Sequence, residues 1–124
     1  MKLIIPLDPR TKKNSMQKTN KGMIQSKAFL QYEKDCKWFV KRLDHPIDYR
    51  VNVKAVYYMK VDYFNGKARI DLNNLHNALH DILVSYGVLA DDNCTIIYKT
   101  DGSYVDHDKV FPRTEILITE IRGE

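Results

Sequence analysis

The sequence predicts an α+β domain: a small mixed β-sheet carrying two packed helices, in the order β-α-β-α-β-β. Three observations lead there. Apolar residues recur at three- and four-residue spacing in two separate stretches, and they alternate over residues 49–61. β-rich runs close the chain. At 124 residues there is material for one core, so residues 1–124 are read as a single domain.

Residues 2–7 form a short apolar strand that ends among Pro6 and Pro9. Residues 8–26 are polar and basic and follow neither period. They are read as a loop or loose hairpin, a type of segment that often carries function. Ser26 is a suitable N-cap for a helix from Lys27 to about Leu43, with Phe29, Tyr32, Cys36, Phe39, Val40 and Leu43 as its buried stripe. Lys34, Lys37, Lys41 and Arg42 fall off that stripe, and His45-Pro46 ends the helix. In the long strand that follows, Val51, Val53, Ala55, Tyr57 and Met59 take one face, and Asn52, Lys54, Tyr58 and Lys60 take the other. Asn65-Gly66 marks a turn. A second helix runs from Leu72 to about Tyr86 on a seam of Leu72, Leu75, Leu79, Ile82 and Leu83, with Gly87 as its stop. Residues 94–100 and 114–121 are two further strands, joined by a polar excursion through Gly102, Asp106, His107 and Asp108.

Composition narrows the function classes. With 44% hydrophobic and 29% charged residues the chain is ordinary for a globular protein, which argues against disorder. No apolar run approaches the ~20 residues that span a bilayer, and Met1–Pro6 is too short for a signal peptide. The expected location is the cytoplasm, with no membrane partner. Cys36 and Cys94 lack CxxC spacing and are read as two reduced thiols in the core. The net charge of +4 hides an asymmetry. Residues 1–42 hold eleven Lys/Arg against three Asp/Glu, and residues 43–124 hold nine against thirteen. A basic third joined to an acidic remainder suits a protein that grips a polyanion with one part and holds cations with the other.

The densest polar cluster is Asp71-Leu72-Asn73-Asn74-Leu75-His76-Asn77, followed by Asp81 and Asp91-Asp92. Asp71 stands at the N-cap of the second helix, where its carboxylate also gains from the helix dipole. As a non-helical cap it can share a site with Asn73, although two residues on a helix point ~200° apart. The segment Gly87-Val88-Leu89-Ala90 turns the chain back, so that Asp91-Asp92 can return beside Asp71. Oxygen ligands without cysteine suit Mg2+ or Mn2+, and such a site supports phosphodiester hydrolysis. The plainer role for these aspartates is capping a helix and a turn, which is common. His76 and His80 share a helix face, but with no third ligand or glutamate they are read as partly exposed structural histidines. Among eight tyrosines only Tyr63 is singled out, with Phe64, in the loop before the acidic helix. There the two can wedge into a DNA branch point.

The order and spacing of these features resemble the RusA family of Holliday junction resolvases. The likeness runs from Lys12-Lys13-Asn14-Ser15 through Asp71-Leu72-x-Asn74-Leu75 and Gly87-x-Leu89-x-Asp91-Asp92 to Glu115–Glu120. It implies a RusA-like fold and a homodimer that nicks four-way DNA junctions with Mg2+ or Mn2+ in recombination and repair, in a phage or a bacterium. Asp71 and Asp92 match the family's acidic site, with Asp91 beside them as a further metal ligand. The second motif aspartate falls on Asn73 and the motif lysine on Asn77. The resemblance thus makes Asp71, Asp92, Asn73 and Asn77 the catalytic set, and Lys12, Lys13, Asn14, Lys18, Lys21 and Arg69 the DNA contacts. An asparagine offers a metal only a neutral oxygen, and Asn77 gives a phosphate no ammonium. A junction-binding protein of the same fold that has lost cleavage is therefore the rival. A third reading, a partner protein with no nucleic-acid role, runs against the basic N-terminal third.

Overall fold

A computed structural model describes residues 1–12, 16–19, 22–25, 27–66 and 69–122; for 16–19 and 22–25 the backbone alone is described. The elements in chain order are β1 (Lys2–Ile5), β2 (Met16–Thr19), β3 (Gly22–Gln25), α1 (Lys27–Cys36), β4 (Val51–Met59), α2 (Leu72–Ser85), β5 (Ile97–Lys99), β6 (Tyr104–His107) and β7 (Arg113–Glu120). This is the expected α+β class, with three strands, β2, β3 and β6, added at two places.

Strand β4 is the centre of the sheet. It pairs antiparallel with β7 from Val51 to Tyr58, and β1 pairs antiparallel on the far side of β7. The other edge of β4 is shared by two short parallel partners, β5 at Val51-Asn52 and β6 at Val56–Met59. The inward set Val51, Val53, Ala55, Tyr57 and Met59 is buried, as the alternation predicts. It meets Ile116 and Ile118 of β7, Phe29, Tyr32 and Cys36 of α1, and Leu75, Leu79, Ile82 and Leu83 of α2 in one core. Among the described residues no helix is long and apolar enough to cross a membrane.

Within the stretch 8–26, read as a loop or loose hairpin, β2 and β3 form a two-stranded hairpin. Three expectations are corrected. Helix α1 stops at Cys36 rather than near Leu43. Its last turn tightens through bonds from the amides of Lys37, Trp38 and Phe39 to the carbonyls three residues back, at 3.4, 3.2 and 3.0 Å. Beyond it the backbone is drawn onto the chain after α2. Leu43 N–H donates to Gly87 (3.2 Å), Ile47 N–H to Val88 (2.9 Å), and Ala90 N–H to Ile47 (2.9 Å), around an isolated bridge between Ile47 and Leu89. Those tertiary bonds replace the helical ones, and Phe39, expected in the buried stripe, is exposed. The polar excursion after Gly102 contains β6, held to β4 by its backbone while most of its side chains stay in solvent. Finally, Cys36 is buried but Cys94 is exposed, because the strand starts only at Ile97 and Cys94 lies in the preceding turn.

Helix α2 stops where expected. Gly87 has φ +78, its N–H donates to Val84 at 3.1 Å, and Val88 N–H donates to Leu83 at 2.9 Å. These two bonds are the paired C-terminal closure that favours glycine. A Cβ at this position would also stand 2.8 Å from Arg42 Nε. Ser26, the expected cap of α1, lies outside the described residues.

Candidate active site

Asp71 is the N-cap of α2. Its backbone is extended, with φ −109 and ψ 124, and its carboxylate accepts the Asn73 N–H at 2.9 Å. Its carbonyl accepts the first helical bonds, from Asn74 (3.1 Å) and Leu75 (3.2 Å). The side chain therefore stands before the helix, as expected, and it is exposed. Asn73 and Asn77 are exposed on the same helix, while Leu75, His76, Ala78 and Leu79 turn into the core.

After Gly87 the chain passes through buried Val88 and Leu89 and emerges at Asp91-Asp92, where both acids are exposed. The Asp91 carboxylate accepts the Asp92 N–H at 2.7 Å and the Asn93 side-chain amide at 3.0 Å, which fixes the turn. The Asp92 carboxyl is pushed above the ordinary carboxylate range. Partial desolvation comes first, then a hydrogen bond with Asp91 and the like charges of Asp81 and Asp91. Asp81, one turn beyond Asn77 on α2, is thus an electrostatic neighbour of the returning acidic pair. It also forms an ion pair with Lys12 from the segment after β1. Asp81 belongs to the acidic run in the sequence, but its tie to Lys12 spans 69 residues and has no local signature.

These donors are oxygen ligands of the type hard cations prefer. With asparagine at position 73 the helix motif itself supplies a single carboxylate, Asp71. Among the described residues no group of three His, Cys, Asp or Glu side chains is placed to hold a metal. The donor chemistry fits Mg2+ or Mn2+; the side-chain placement does not complete a three-acid cage.

The two histidines lie behind this surface. His76, expected to be partly exposed, is buried, because Tyr57 on β4 reaches it: Tyr57 Oη lies 2.8 Å from His76 Nδ1. The His76 and His80 rings stack with centroids 5.4 Å apart and planes 8° from parallel. Burial, followed by the neighbouring His76, pushes His80 down to about 4, against a weaker opposing pull from Asp81. Both rings are neutral packing groups at physiological pH.

Tyr63, Phe64, Arg69, Ile70, Leu72 and Val105 line a shallow hollow of about 310 Å³ at the entrance to α2. Phe64 is 64% exposed, and Asp62 shapes its turn by accepting the Phe64 N–H at 3.0 Å. The structure therefore groups Arg69 with the two aromatics singled out in the sequence, directly before Asp71. Of the other expected DNA contacts, Lys12 is described and held by Asp81. Lys18 lies in β2, where its side chain is not described, and Lys13, Asn14 and Lys21 lie outside the described residues.

No curated protein matched the chain. The family model for Endodeoxyribonuclease RusA matches residues 6–119, a span that contains Lys12, the Asp71 motif, Asp81 and the Asp91-Asp92 turn. The match covers most of the 124 residues, and at the level of endodeoxyribonuclease it agrees with the resemblance. With two helices packed on a mixed sheet and an acidic surface formed by α2 and the turn behind it, the chain belongs to the RusA family of endodeoxyribonucleases.

Proposed function

We propose that this protein is a divalent-cation-dependent endonuclease that cuts Holliday junctions and related branched DNA. It would act as a homodimer in cytoplasmic recombination and repair, in a bacterium or a phage. The observation that carries the reading is the family match across both acidic segments, 71–77 and 91–92. The like charges of Asp81 and Asp91 beside Asp92 support it, because a cation relieves such repulsion.

In this reading Asp71 and Asp92 hold Mg2+ or Mn2+, with Asp91 as a further ligand and Asn73 lending a neutral oxygen. The cation, when bound, supplies Lewis acidity and neutralises charge developing on the phosphate. Asn77 orients the strand by hydrogen bonds without adding charge. Lys12, Lys13, Asn14, Lys18, Lys21 and Arg69 contact the phosphates, and Phe64 with Tyr63 presents an aromatic edge at the branch point. Two-fold symmetry supplies the two sites that paired nicking of a four-way junction needs.

Asn73 and Asn77 favour a second reading, in which the protein captures or shields junctions without cutting them. A labelled four-way junction incubated with and without Mg2+, with binding and nicking followed in parallel, separates the two. Metal-dependent nicking supports the nuclease. Tight binding without nicking supports the capture protein, and no preference for the junction over linear duplex overturns both.

A further inference from the structure

The early end of α1 has a consequence at the surface. Had the helix continued, Phe39 would have stayed on the buried stripe. The tightened turn instead leaves Trp38 71% and Phe39 38% exposed, side by side. Lys34, Lys37, Lys41 and Arg42 flank them in the chain, all exposed, and none forms an ion pair among the described residues. Lys37 Nζ lies 5.1 Å from the centre of the Trp38 ring. The nearby carboxylate of Asp35 accepts from the Gln31 side chain at 2.8 Å. The result is a basic turn with two unburied aromatic rings at its crest.

Large exposed rings are costly to hydrate and mark surfaces that meet a partner. Charge selects the partner. A second copy of this turn would set Lys34, Lys37, Lys41 and Arg42 against the same four cations, offset only in part by Glu33, Asp35 and Asp44, which disfavours self-association. A polyanion suits it, and DNA is the polyanion on which a RusA endodeoxyribonuclease acts. Duplex DNA offers this turn phosphates but hides the faces of its bases, whereas an indole and a phenyl ring between cations match bases that have left the stack.

We propose that Trp38 and Phe39 form a stacking platform for unpaired bases of DNA, with Lys34, Lys37, Lys41 and Arg42 holding the adjoining phosphates. The inference rests on the DNA-acting family but not on the acidic site, so the two fail separately.

Trp38 is the chain's single tryptophan, so its emission reports on the platform directly. The full chain, in EDTA and without divalent cation, is titrated with a short oligothymidylate and with a duplex of equal length. The oligothymidylate should quench Trp38. Trp38→Ala and Phe39→Ala should each weaken its binding, measured by anisotropy of the labelled strand, by about 5- to 150-fold, the range for one stacked base. Duplex affinity should change by less than about twofold, and Trp38→Phe should retain most of the binding. Melting curves confirm folding. If Phe39→Ala fails to fold, Trp38→Ala and the double change Lys37→Gln with Lys41→Gln carry the test. The proposal is overturned if oligothymidylate leaves the emission unmoved and Trp38→Ala binds it normally. Two other results also overturn it: quenching by phosphatidylserine vesicles but not by DNA, which assigns the turn to a membrane surface, or concentration-dependent self-association that Trp38→Ala abolishes.

Discussion

Replacing Asp71 with asparagine separates the two roles that meet at this residue. As an N-cap, asparagine ranks with aspartate, so the bond accepted from the Asn73 N–H at 2.9 Å is kept. What is lost is the carboxylate's favourable contact with the positive end of α2, about 0.3–1 kcal/mol for an exposed group. For a chain of this size that lowers the melting midpoint by about 1–4 °C. Asp71→Ala also removes the cap and should cost about 1 kcal/mol more. The effect on cleavage should be of another order. Loss of an anionic metal ligand should reduce Mg2+-dependent junction nicking at least about a hundredfold, close to 2.7 kcal/mol of transition-state stabilisation. Junction binding in EDTA should be unchanged or tighter, since one negative charge has left the proposed phosphate-binding surface. The measurements are single-turnover nicking of a labelled four-way junction, anisotropy without metal, and thermal unfolding of both variants. If the wild type nicks well and Asp71→Asn nicks equally well, the metal site has been assigned to the wrong residues.

The converse double change, Asn73→Asp with Asn77→Lys, restores the charges the family motif expects and should raise metal-dependent nicking tenfold or more. Unchanged nicking would show that these positions do not limit the reaction. Because folding depresses the His80 pKa from 6.5 to about 4, the unfolded chain takes up the proton first. The corresponding stability is full above pH 6.5 and is lost as the pH falls towards 4, by up to ~3 kcal/mol. Urea titrations at pH 7.5 and 4.5 on the wild type and His80→Asn measure this, and an equally steep pH dependence in the variant would assign it elsewhere. Gly87→Ala forces a left-handed backbone on alanine and presses its methyl towards Arg42. It should destabilise by ~1–2 kcal/mol, read from the shift in denaturation midpoint, and a neutral result would mean the turn can rearrange. Light scattering should give a dimer, and a monomer at every concentration with junction nicking intact would refute it.

Some of this fold was legible because its residues meet periodic demands alone. Strand β4 alternates because one face is core and the other is not, and the seam of α2 and its glycine stop needed no distant partner to be read. The end of α1 was not legible, because Phe39 and Val40 continue the helical spacing while the bonds that draw the chain away come from Gly87 and Val88. Strand β6 escaped for the opposite reason: most of its side chains are exposed, and only its backbone ladder to β4 defines it. At the candidate site, capping chemistry placed Asp71 before the helix. The influence of Asp81 on Asp92 depended on the chain's return after Gly87. The exposure of Phe39 followed from the same early end of the helix.

The crossing of residues 43–47 with 87–90 has a kinetic consequence. The amide hydrogens of Leu43, Ile47 and Ala90 are held by carbonyls on opposite sides of one bridge, so none is released to solvent unless both segments part. Hydrogen exchange should therefore treat them as one cooperative unit, opening together. The basic turn after α1 and the acidic turn after α2 would then share a single opening event, and a ligand that clamps either turn should slow exchange at the other.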